Sequence, residues 1–179
     1  MKLFNKVRFF LISGCIPWEN ERFIKDLKRW KSVLKLKGTD KHVLSVLLAS
    51  DKAFRSLFIY RIRKPMNIRW VRFLYPPLDS LYINTRDIGG GLFIQHGFST
   101  GIGAESIGEN CWINQQVTIG YRDDSRGPII GDDVTITCGA KVLGPITIGD
   151  RVTIGANAVV IKDCPPDSVW GGVPAKRIR

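Results

Sequence analysis

Isoleucine or valine recurs with a six-residue period through the second half of this chain of 179 residues. The periodic positions are Ile88 and Ile94, then Ile107, Ile113 and Ile119, and then Ile130, Ile136, Val142, Ile148, Ile154 and Val160. A fixed period of six is typical of a parallel β-helix, in which each hexapeptide supplies one short strand and one corner. We expect the periodic residues to stack inward, and the Gly, Asn and Asp residues beside them to supply the positive or tight backbone angles of the corners.

The six-residue register is interrupted between Ile119 and Ile130, which stand eleven residues apart. Residues 121–129 read "YRDDSRGPI" and are mostly polar, with one Gly and one Pro. A polar insertion in a repeat array maps to an extruded loop, and such loops gather on the binding face. The sequence therefore predicts a functional loop at 121–129.

The part of the chain before the repeat has helical patterning. The segments "NERFIKDLKRW" and "DKHVLSVLLASDKAFRSLFIYRIRK" carry apolar residues at helical spacing. Asn20, Asp40 and Asp51 are suitable helix starts, and Pro65 is a suitable stop. The prediction is mainly β: an N-terminal α-helical region over 1–80, then a β-helix domain over 81–179 with the loop 121–129 and a C-terminal tail.

The first 80 residues are strongly basic, with 18 of the 27 Lys and Arg residues but only 6 of the 16 Asp and Glu residues. This excess predicts an anionic partner, such as a membrane surface, a subunit face or a nucleic acid, or else helix faces that are simply solvated. We expect no nucleic-acid partner, because no recognisable binding module surrounds the basic residues. No apolar segment approaches the ~18 residues of a spanning helix, and the apolar run near the N-terminus is too short for a signal peptide.

The cysteine and histidine content argues against a metal site and against a disulfide framework. Cys15, Cys111, Cys138 and Cys164 lie far apart, without a C-x-x-C pair, and the chain has two histidines. A structural zinc site needs a closer set of such ligands. Unpaired cysteines predict a protein of the reducing cytoplasm.

One of the two histidines, His96, lies in the stretch "GGGLFIQHGFSTGIG" with no charged residue within eight positions on either side. A histidine in such surroundings is either a satisfied core residue or a proton-transfer group. An acceptor hydroxyl becomes a good nucleophile when a base within hydrogen-bond reach removes its proton, and an imidazole suits that task. His42, on a predicted helix, is expected to be an ordinary surface residue.

Four motifs, "FIQHG", "QQVTIG", "IGANAVV" and "GVPAK", together with the repeat and the loop, resemble the hexapeptide-repeat acyltransferases of the serine acetyltransferase-like group. The resemblance is strong over 83–179 and weak over the helices. It implies a left-handed β-helix, although right-handed crossovers are the general rule. It also implies a homotrimer that binds acetyl-CoA between neighbouring solenoids, with His96 as the catalytic base and Gly97 admitting the substrates.

The resemblance further implies residues for the two substrates. Acceptor binding would fall to Gln95, Gln115 and Arg126. The pantetheine arm of acetyl-CoA would lie against small residues, and basic residues near the C-terminus would bind its phosphates, unless they form only a solvated tail. The residues that map to acetyl-CoA are Gly139, Ala140, Gly155 and Ala156 for the arm and Lys162, Lys176 and Arg177 for the phosphates.

The chain departs from the serine acetyltransferase pattern at three places. In that family an aspartate orients the histidine, and its position falls near Leu81 and Tyr82 here, where no carboxylate is present. The acidic residue that precedes the histidine in the family is replaced by Gln95. The "D-R-H-P" segment reads "SRGP", so its histidine becomes Gly127 while Arg126 is retained. The residues left as candidates to orient His96 are Asp87, Glu105, Asp123 and Asp124. The oxyanion donor, and the choice between a trimer and a hexamer, stay open.

The resulting prediction is an O-acetyltransferase that moves an acetyl group from acetyl-CoA to a sugar hydroxyl in cell-surface polysaccharide biosynthesis. Loss of the acceptor-contacting histidine favours the sugar, whereas Arg126 keeps L-serine as the alternative acceptor. A more distant alternative is a non-catalytic β-helix scaffold. A metal-dependent β-helix is not expected, because it needs three histidines. The basic N-terminal region suits a cytoplasmic protein that contacts the inner face of a membrane peripherally.

Overall fold

The computed structural model describes residues 3–62, 65–122 and 126–179. The first part forms five α-helices and one short 3₁₀ helix, Ser13–Cys15. The α-helices are α1 (Leu3–Leu11), α2 (Glu21–Val33), α3 (Asp40–Ser50), α4 (Lys52–Arg61) and α5 (Pro65–Leu74). None of the helices in the described ranges is long and apolar enough to cross a membrane.

The helix boundaries follow from capping, with two corrections to the sequence prediction. The side chains of Asn20 and Asp51 cap α2 and α4 as predicted. The cap of α3 is Thr39, whose hydroxyl accepts from the His42 amide, and Asp40 is the first helical residue. The helix before Pro65 ends at Arg61, and the prediction missed that Pro65 begins α5, at a position where a fixed φ and a missing N–H are tolerated.

Fifteen short strands follow within the described part of the chain. They are β1 (Leu81–Ile83), β2 (Asp87–Ile88), β3 (Phe93–Ile94), β4 (Thr100–Ile102), β5 (Ser106–Ile107), β6 (Trp112–Ile113), β7 (Thr118–Gly120), β8 (Ile129–Ile130), β9 (Thr135–Ile136), β10 (Lys141–Leu143), β11 (Thr147–Ile148), β12 (Thr153–Ile154), β13 (Val159–Val160), β14 (Val169–Gly171) and β15 (Lys176–Arg177).

The strands form three parallel sheets, and successive coils give one strand to each. The sheets are ordered β1-β4-β7-β10-β13, β2-β5-β8-β11 and β3-β6-β9-β12-β14, and the antiparallel β15 pairs with β14. Every periodic Ile and Val is buried in the core that the three sheets enclose. The predicted parallel β-helix is therefore confirmed, including the inward stacking of its periodic residues.

The glycines that follow the periodic residues have a different role from the one predicted. Gly108 has no positive φ, but a Cβ there would lie 2.6 Å from the Gly131 carbonyl carbon of the next coil. Equivalent close approaches to backbone atoms occur at Gly89 and Gly149. The positive φ falls two residues later, for example at Asn110. Glycine is thus needed because coils stack closely, whereas the turn itself uses polar residues.

The helices close the first end of the solenoid and share its core. The Trp30 ring of α2 contacts the rings of Phe54 and Phe93, and its Nε1 donates to the Leu92 carbonyl at 2.9 Å. Buried residues of the helices and of the coils form one continuous hydrophobic cluster. The first coil, which carries His96, is therefore fixed against the helices.

A buried ion pair strengthens this junction. Arg61 Nε of α4 donates to Asp26 Oδ2 of α2 at 2.7 Å, and the guanidinium also donates to the carbonyls of Ile88 and Gly89. Asp26 Oδ1 accepts from the Leu92 amide. Burial raises the pKa of Asp26 to about 6, although contacts with Arg61 and with backbone amides act in the opposite direction.

Candidate functional site

His96 lies at the corner between β3 and β4, in the first coil, and its side chain is exposed. Its backbone is left-handed, with φ of 64°, and Gly97 follows with φ of 67°. A satisfied core histidine would be buried, so that interpretation of His96 is wrong. The imidazole is free to meet a substrate, and none of the described residues hydrogen-bonds to it.

Gly97 is buried and serves packing rather than substrate access. A Cβ at this position would lie 2.9 Å from Ile94 Cγ2 and 3.2 Å from both Ala53 Cβ and Leu81 Cδ2. The glycine therefore lets the His96 corner close against α4 and β1. The prediction that Gly97 admits substrates is replaced by this steric role.

The corner after β3 is matched by the corners after β6, β9 and β12, but it has two more residues, and the Gln116 amide donates to the Phe98 carbonyl, so Phe98 rather than His96 is in register with Gln115. Ile94 pairs with Ile113, Ile113 with Ile136, and Ile136 with Ile154. We call the four residues that lie two positions after these isoleucines the corner column. Neighbouring strands are about 4.8 Å apart, so the column extends about 14 Å from its first to its last member. Its members are His96, Gln115, Cys138 and Ala156.

Two amide oxygens near His96 are buried without a hydrogen-bond donor in the described structure. They are Oε1 of Gln115 and Oδ1 of Asn114, in the coil that follows that of His96. Gln95 is already engaged, because its Oε1 accepts from Trp112 Nε1 at 3.1 Å. A buried acceptor without a donor is costly, and both side chains are half-buried, so rotation of the amide groups would bring these oxygens to the surface, where a substrate donor can satisfy them. The sequence prediction included Gln115 but missed Asn114, which the coil register places directly below Gln95.

Arg126 stands at the end of the loop, is exposed and has no bonding partner among the described residues. Gly127 beside it packs tightly, since a Cβ there would lie 2.8 Å from the Gly103 carbonyl oxygen. The histidine that the resemblance places at this position would not fit the loop as it lies here. The described geometry does not bring Arg126 into contact with His96.

The carboxylates considered as orienting groups are engaged elsewhere or lie outside the described residues. Asp87 pairs with Arg22 at 2.6 Å, and Glu105 accepts from the Gly127 amide at 3.3 Å. Asp123 and Asp124 lie outside the described residues. Neither Asp87 nor Glu105 hydrogen-bonds to the imidazole in the described structure.

The residues predicted to bind the pantetheine arm divide into two groups. Ala156 is exposed, and Gly139 and Gly155 are half-buried at the same corner. Ala140 is fully buried with its methyl group in the solenoid core, so the prediction that it lines a ligand surface is wrong. Its position four residues after a periodic isoleucine explains the error, because that residue also faces inward.

The residues predicted to bind phosphates are exposed near the end of the solenoid. Lys162 follows the last coil strand, and Lys176 and Arg177 form β15. Arg177 Nε donates to the Arg179 carbonyl at 3.1 Å, and the structure shows no other engagement of its guanidinium among the described residues. These cations are in the last coils of the solenoid, far from the first coil that carries His96, and Lys162 lies at a different corner because it follows β13.

The sequence and the fold were compared with known proteins. The family model "Bacterial transferase hexapeptide (six repeats)" matches residues 127–162. A serine acetyltransferase of Synechococcus elongatus is 37% identical over 126 residues, covering 68% of this chain and 52% of the relative. One of Helicobacter pylori is 46% identical over 95 residues, covering 51% and 56%. The chain spans about half the length of the curated relatives it matches.

Two solved structures resemble the whole molecule. Neisseria gonorrhoeae serine acetyltransferase in complex with serine aligns with a TM-score of 0.70 and 27% identity, over 95% of this chain and 70% of that one. A serine acetyltransferase in complex with CoA aligns with a TM-score of 0.65 and 25% identity, over 86% and 67%. The resemblance extends through the helices as well as the solenoid.

The fold is the predicted left-handed β-helix of hexapeptide repeats, and it is similar to that of the hexapeptide-repeat acyltransferases. Within that class, the chain is like the serine acetyltransferases, which confirms the resemblance inferred from its motifs.

Proposed function

We propose that this protein is a serine O-acetyltransferase, which transfers an acetyl group from acetyl-CoA to the hydroxyl of L-serine. The observation that carries the proposal is the exposed His96 at a rigid corner of a chain whose curated relatives are serine acetyltransferases. The sugar acceptor favoured by the sequence alone has no support among these relatives, and we do not propose it. A non-catalytic scaffold is disfavoured because it would have no need of an accessible His96.

In this mechanism His96 acts as a general base. Its unprotonated ring nitrogen accepts the proton of the serine hydroxyl as the oxygen attacks the acetyl carbonyl carbon of the thioester. The carbon–sulfur bond breaks, and the imidazolium returns the proton to the departing thiolate of CoA. The products are O-acetylserine and CoA, and His96 regains its starting protonation state. Backbone amides at the corners would stabilise the charge on the carbonyl oxygen.

The acceptor would be held by groups around the first two coils. The buried Oε1 of Gln115 and Oδ1 of Asn114 can each accept a hydrogen bond from the ammonium group of serine. Arg126, exposed at the end of the loop, can bind the carboxylate by two parallel hydrogen bonds. A free amino acid supplies both charges, whereas a neutral sugar supplies neither.

Acetyl-CoA fits the corner column because its members become smaller with distance from His96. The series runs from Gln115 through Cys138 to Ala156, which leaves room for an extended arm. Gly139 and Gly155 flank this path, and Lys162, Lys176 and Arg177 in the last coils are available to the phosphates. The similar protein solved with CoA supports this assignment.

The proposed assembly is a homotrimer in the cytoplasm. Gly101 and Gly120 support it, because neither has a positive φ and neither has an atom within 4 Å of where a Cβ would lie. Nothing in the described part of this chain therefore requires glycine at these two positions. Close approach of a neighbouring solenoid would require it.

An acceptor screen tests the proposed reaction. Purified protein is incubated with acetyl-CoA and L-serine, with nucleotide sugars, or with glycan fragments, and the released thiol and the acetylated product are measured. We expect release with L-serine and a product with the mass of O-acetylserine, and His96→Asn serves as the inactive control. Release with sugars alone, or with no acceptor offered, would overturn the proposal.

A further inference from the structure

Helices α1 and α5 each expose a row of large apolar side chains. Phe10 of α1 is 76% exposed and Phe73 of α5 is 77% exposed. The exposed residues recur at helical spacing, so each row forms one face. We call the two rows together the α1–α5 surface, which consists of Phe4, Val7, Phe10 and Leu11 on α1 and Met66, Trp70 and Phe73 on α5.

These exposed rows are additional to the faces that hold the two helices on the protein. α1 packs on α3 and α5 packs on α4. Val71 of α5 and Ile12, directly after α1, are buried, and Phe9 and Ile68 pack against the core. Each helix is therefore apolar on two sides, and only one side is used within the described structure. An exposed apolar patch of this kind marks an interaction site.

The C-terminal ends of the two helices are joined by one ring contact. The Arg8 guanidinium of α1 lies over the ring of Tyr75, which directly follows α5, with 4.2 Å between Cζ and the ring centroid. Tyr75 itself is buried. The apolar rows therefore belong to one region of the helical end of the molecule.

The charged residues on these two helices are all cations. Helix α1 (LFNKVRFFL) and helix α5 (PMNIRWVRFL) contain no acidic residue. Lys6, Arg69 and Arg72 are exposed beside the apolar side chains. Aromatic and aliphatic residues flanked only by cations are typical of helices that lie in the interface of an anionic bilayer.

We propose that the α1–α5 surface docks on an anionic lipid bilayer, with its apolar rows inserted at the headgroup level and its cations on the phosphates. A second copy of this chain is the competing occupant. The uniform positive charge favours the bilayer, because two such surfaces facing each other would repel. Docking of this kind does not depend on the acetyl transfer proposed above.

Vesicle co-sedimentation tests the docking with the full chain. Vesicles of phosphatidylcholine alone are compared with vesicles that contain about one third phosphatidylglycerol, at low and at high salt. We expect at least roughly 10-fold stronger partitioning to the anionic vesicles at low salt, and a marked loss at high salt. Equal binding to both kinds of vesicle, or binding to neither, would overturn the proposal.

Variants separate the apolar contribution from the charge. Phe10→Ser/Phe73→Ser removes two inserted rings, and Lys6→Glu/Arg69→Glu reverses two charges, so each should lower partitioning by about 10-fold or more. Ile178→Ser is the matched control, because Ile178 is 71% exposed at the opposite end of the solenoid. This control should bind vesicles like the wild type.

Two further measurements keep the outcomes distinct. If Phe10→Ser/Phe73→Ser binds vesicles normally but has a lower mass in sedimentation, the surface joins copies of the chain and the proposal fails. Thiol release with L-serine is measured on the same variants without vesicles. In the variants, normal release together with weakened vesicle binding is the expected result. In the wild type, normal release with absent vesicle binding overturns the docking alone, whereas vesicle binding without release overturns the acetyl transfer alone.

Discussion

At the scale of single residues, exposure and backbone conformation give His96 its role. The sequence singled it out through the absence of neighbouring charges, but the same absence suited a core residue. Only the corner geometry separates the two, because it depends on Gly97 closing against Ala53 and Leu81 from distant parts of the chain. Asn114 was missed for a similar reason, since its stacking below Gln95 follows from coil register rather than from a local motif.

Replacing His96 should remove catalysis without unfolding the protein. His96→Asn suits the left-handed backbone, where asparagine is favoured, but cannot act as the base. We expect kcat to fall by roughly 10²-fold to 10⁴-fold, with an unchanged Tm and unchanged acetyl-CoA affinity. Steady-state kinetics and thermal melts on the same sample measure this. A folded His96→Asn protein with the wild-type rate would end the general-base assignment.

The neighbouring glutamines allow a matched test of acceptor binding. Gln115→Met removes the buried Oε1 without a large change in volume, whereas Gln116→Met alters an exposed side chain. A hydrogen bond to a charged group contributes about 1.5–3 kcal/mol, so Gln115→Met should raise KM for serine by roughly 10-fold or more. Gln116→Met should leave KM unchanged. Equal KM values in the two variants would count against Gln115 as an acceptor ligand.

At the scale of elements, the strands were predictable and the reason for their glycines was not. A six-residue period fixes which residues face inward, because every coil repeats the same environment. The distance between coils at a corner is a property of the stack, and no single hexapeptide encodes it. The role of Pro65 could not be predicted either, because α5 was not recognised as a helix. Its apolar residues lie on an exposed face as well as on the packed face, whereas a helix that packs on one side is apolar on one face only.

The glycine column should be sensitive to a single methyl group. At Gly131 a Cβ would lie 2.9 Å from the Asp150 amide nitrogen of the next coil, so Gly131→Ala must push two coils apart. We expect a loss of about 1–3 kcal/mol in the free energy of unfolding. Gly14→Ala is the control, because nothing lies within 4 Å of that position. Urea unfolding measures both variants, and a neutral Gly131→Ala would refute the close-stacking role.

The Asp26–Arg61 pair should make the junction between helices and solenoid sensitive to pH. The contacts of Arg61 lower the pKa of Asp26, so Arg61→Met should raise that pKa above its present value of about 6. When the folded-state pKa of a group lies above its unfolded value, the protonated group stabilises the folded protein at low pH. This contribution is lost as pH rises through the folded-state pKa. The loss in the free energy of unfolding caused by Arg61→Met should therefore grow from pH 5 to pH 8, to about 3–5 kcal/mol.

Urea unfolding of Arg61→Met at the two pH values measures this deficit against the wild type. The double variant Asp26→Leu/Arg61→Met is the control, because it leaves no buried carboxylate and should show little dependence on pH. A deficit of Arg61→Met that shrinks as pH rises would contradict the assigned direction.

At the scale of the whole molecule, the sequence predicted two regions, and the structure gives them one continuous core. Trp30 and the buried ion pair are the reason, and neither carries a local signal that identifies its partner. The break in period predicted the loop 121–129, but the close approach of Gly127 to Gly103 could not be anticipated. The apolar rows of α1 and α5 were visible as composition but not as exposed surface.

The proposed trimer should depend on the open glycines of the solenoid face. Wild-type protein should sediment at three times the 20.1 kDa of one chain. Gly101→Lys adds a side chain that meets nothing within the described chain, so the protomer should fold while the trimer dissociates. Sedimentation equilibrium and circular dichroism measure the two properties. A wild-type monomer with full activity, or a trimeric Gly101→Lys, would contradict this assembly.

The corner column also links the number of coils to the length of the ligand that can bind. Each coil advances the column by about 4.8 Å, so the number of coils between His96 and the basic end sets the length of ligand that can reach both. Ile136 and Ile154 occupy equivalent places in successive coils, 18 residues apart. Excising residues 137–154 would remove one coil, which shortens the column by about 4.8 Å and preserves the register of the remaining coils. The length of ligand that fits would then depend on the number of coils, without a change to any residue that touches the reacting atoms.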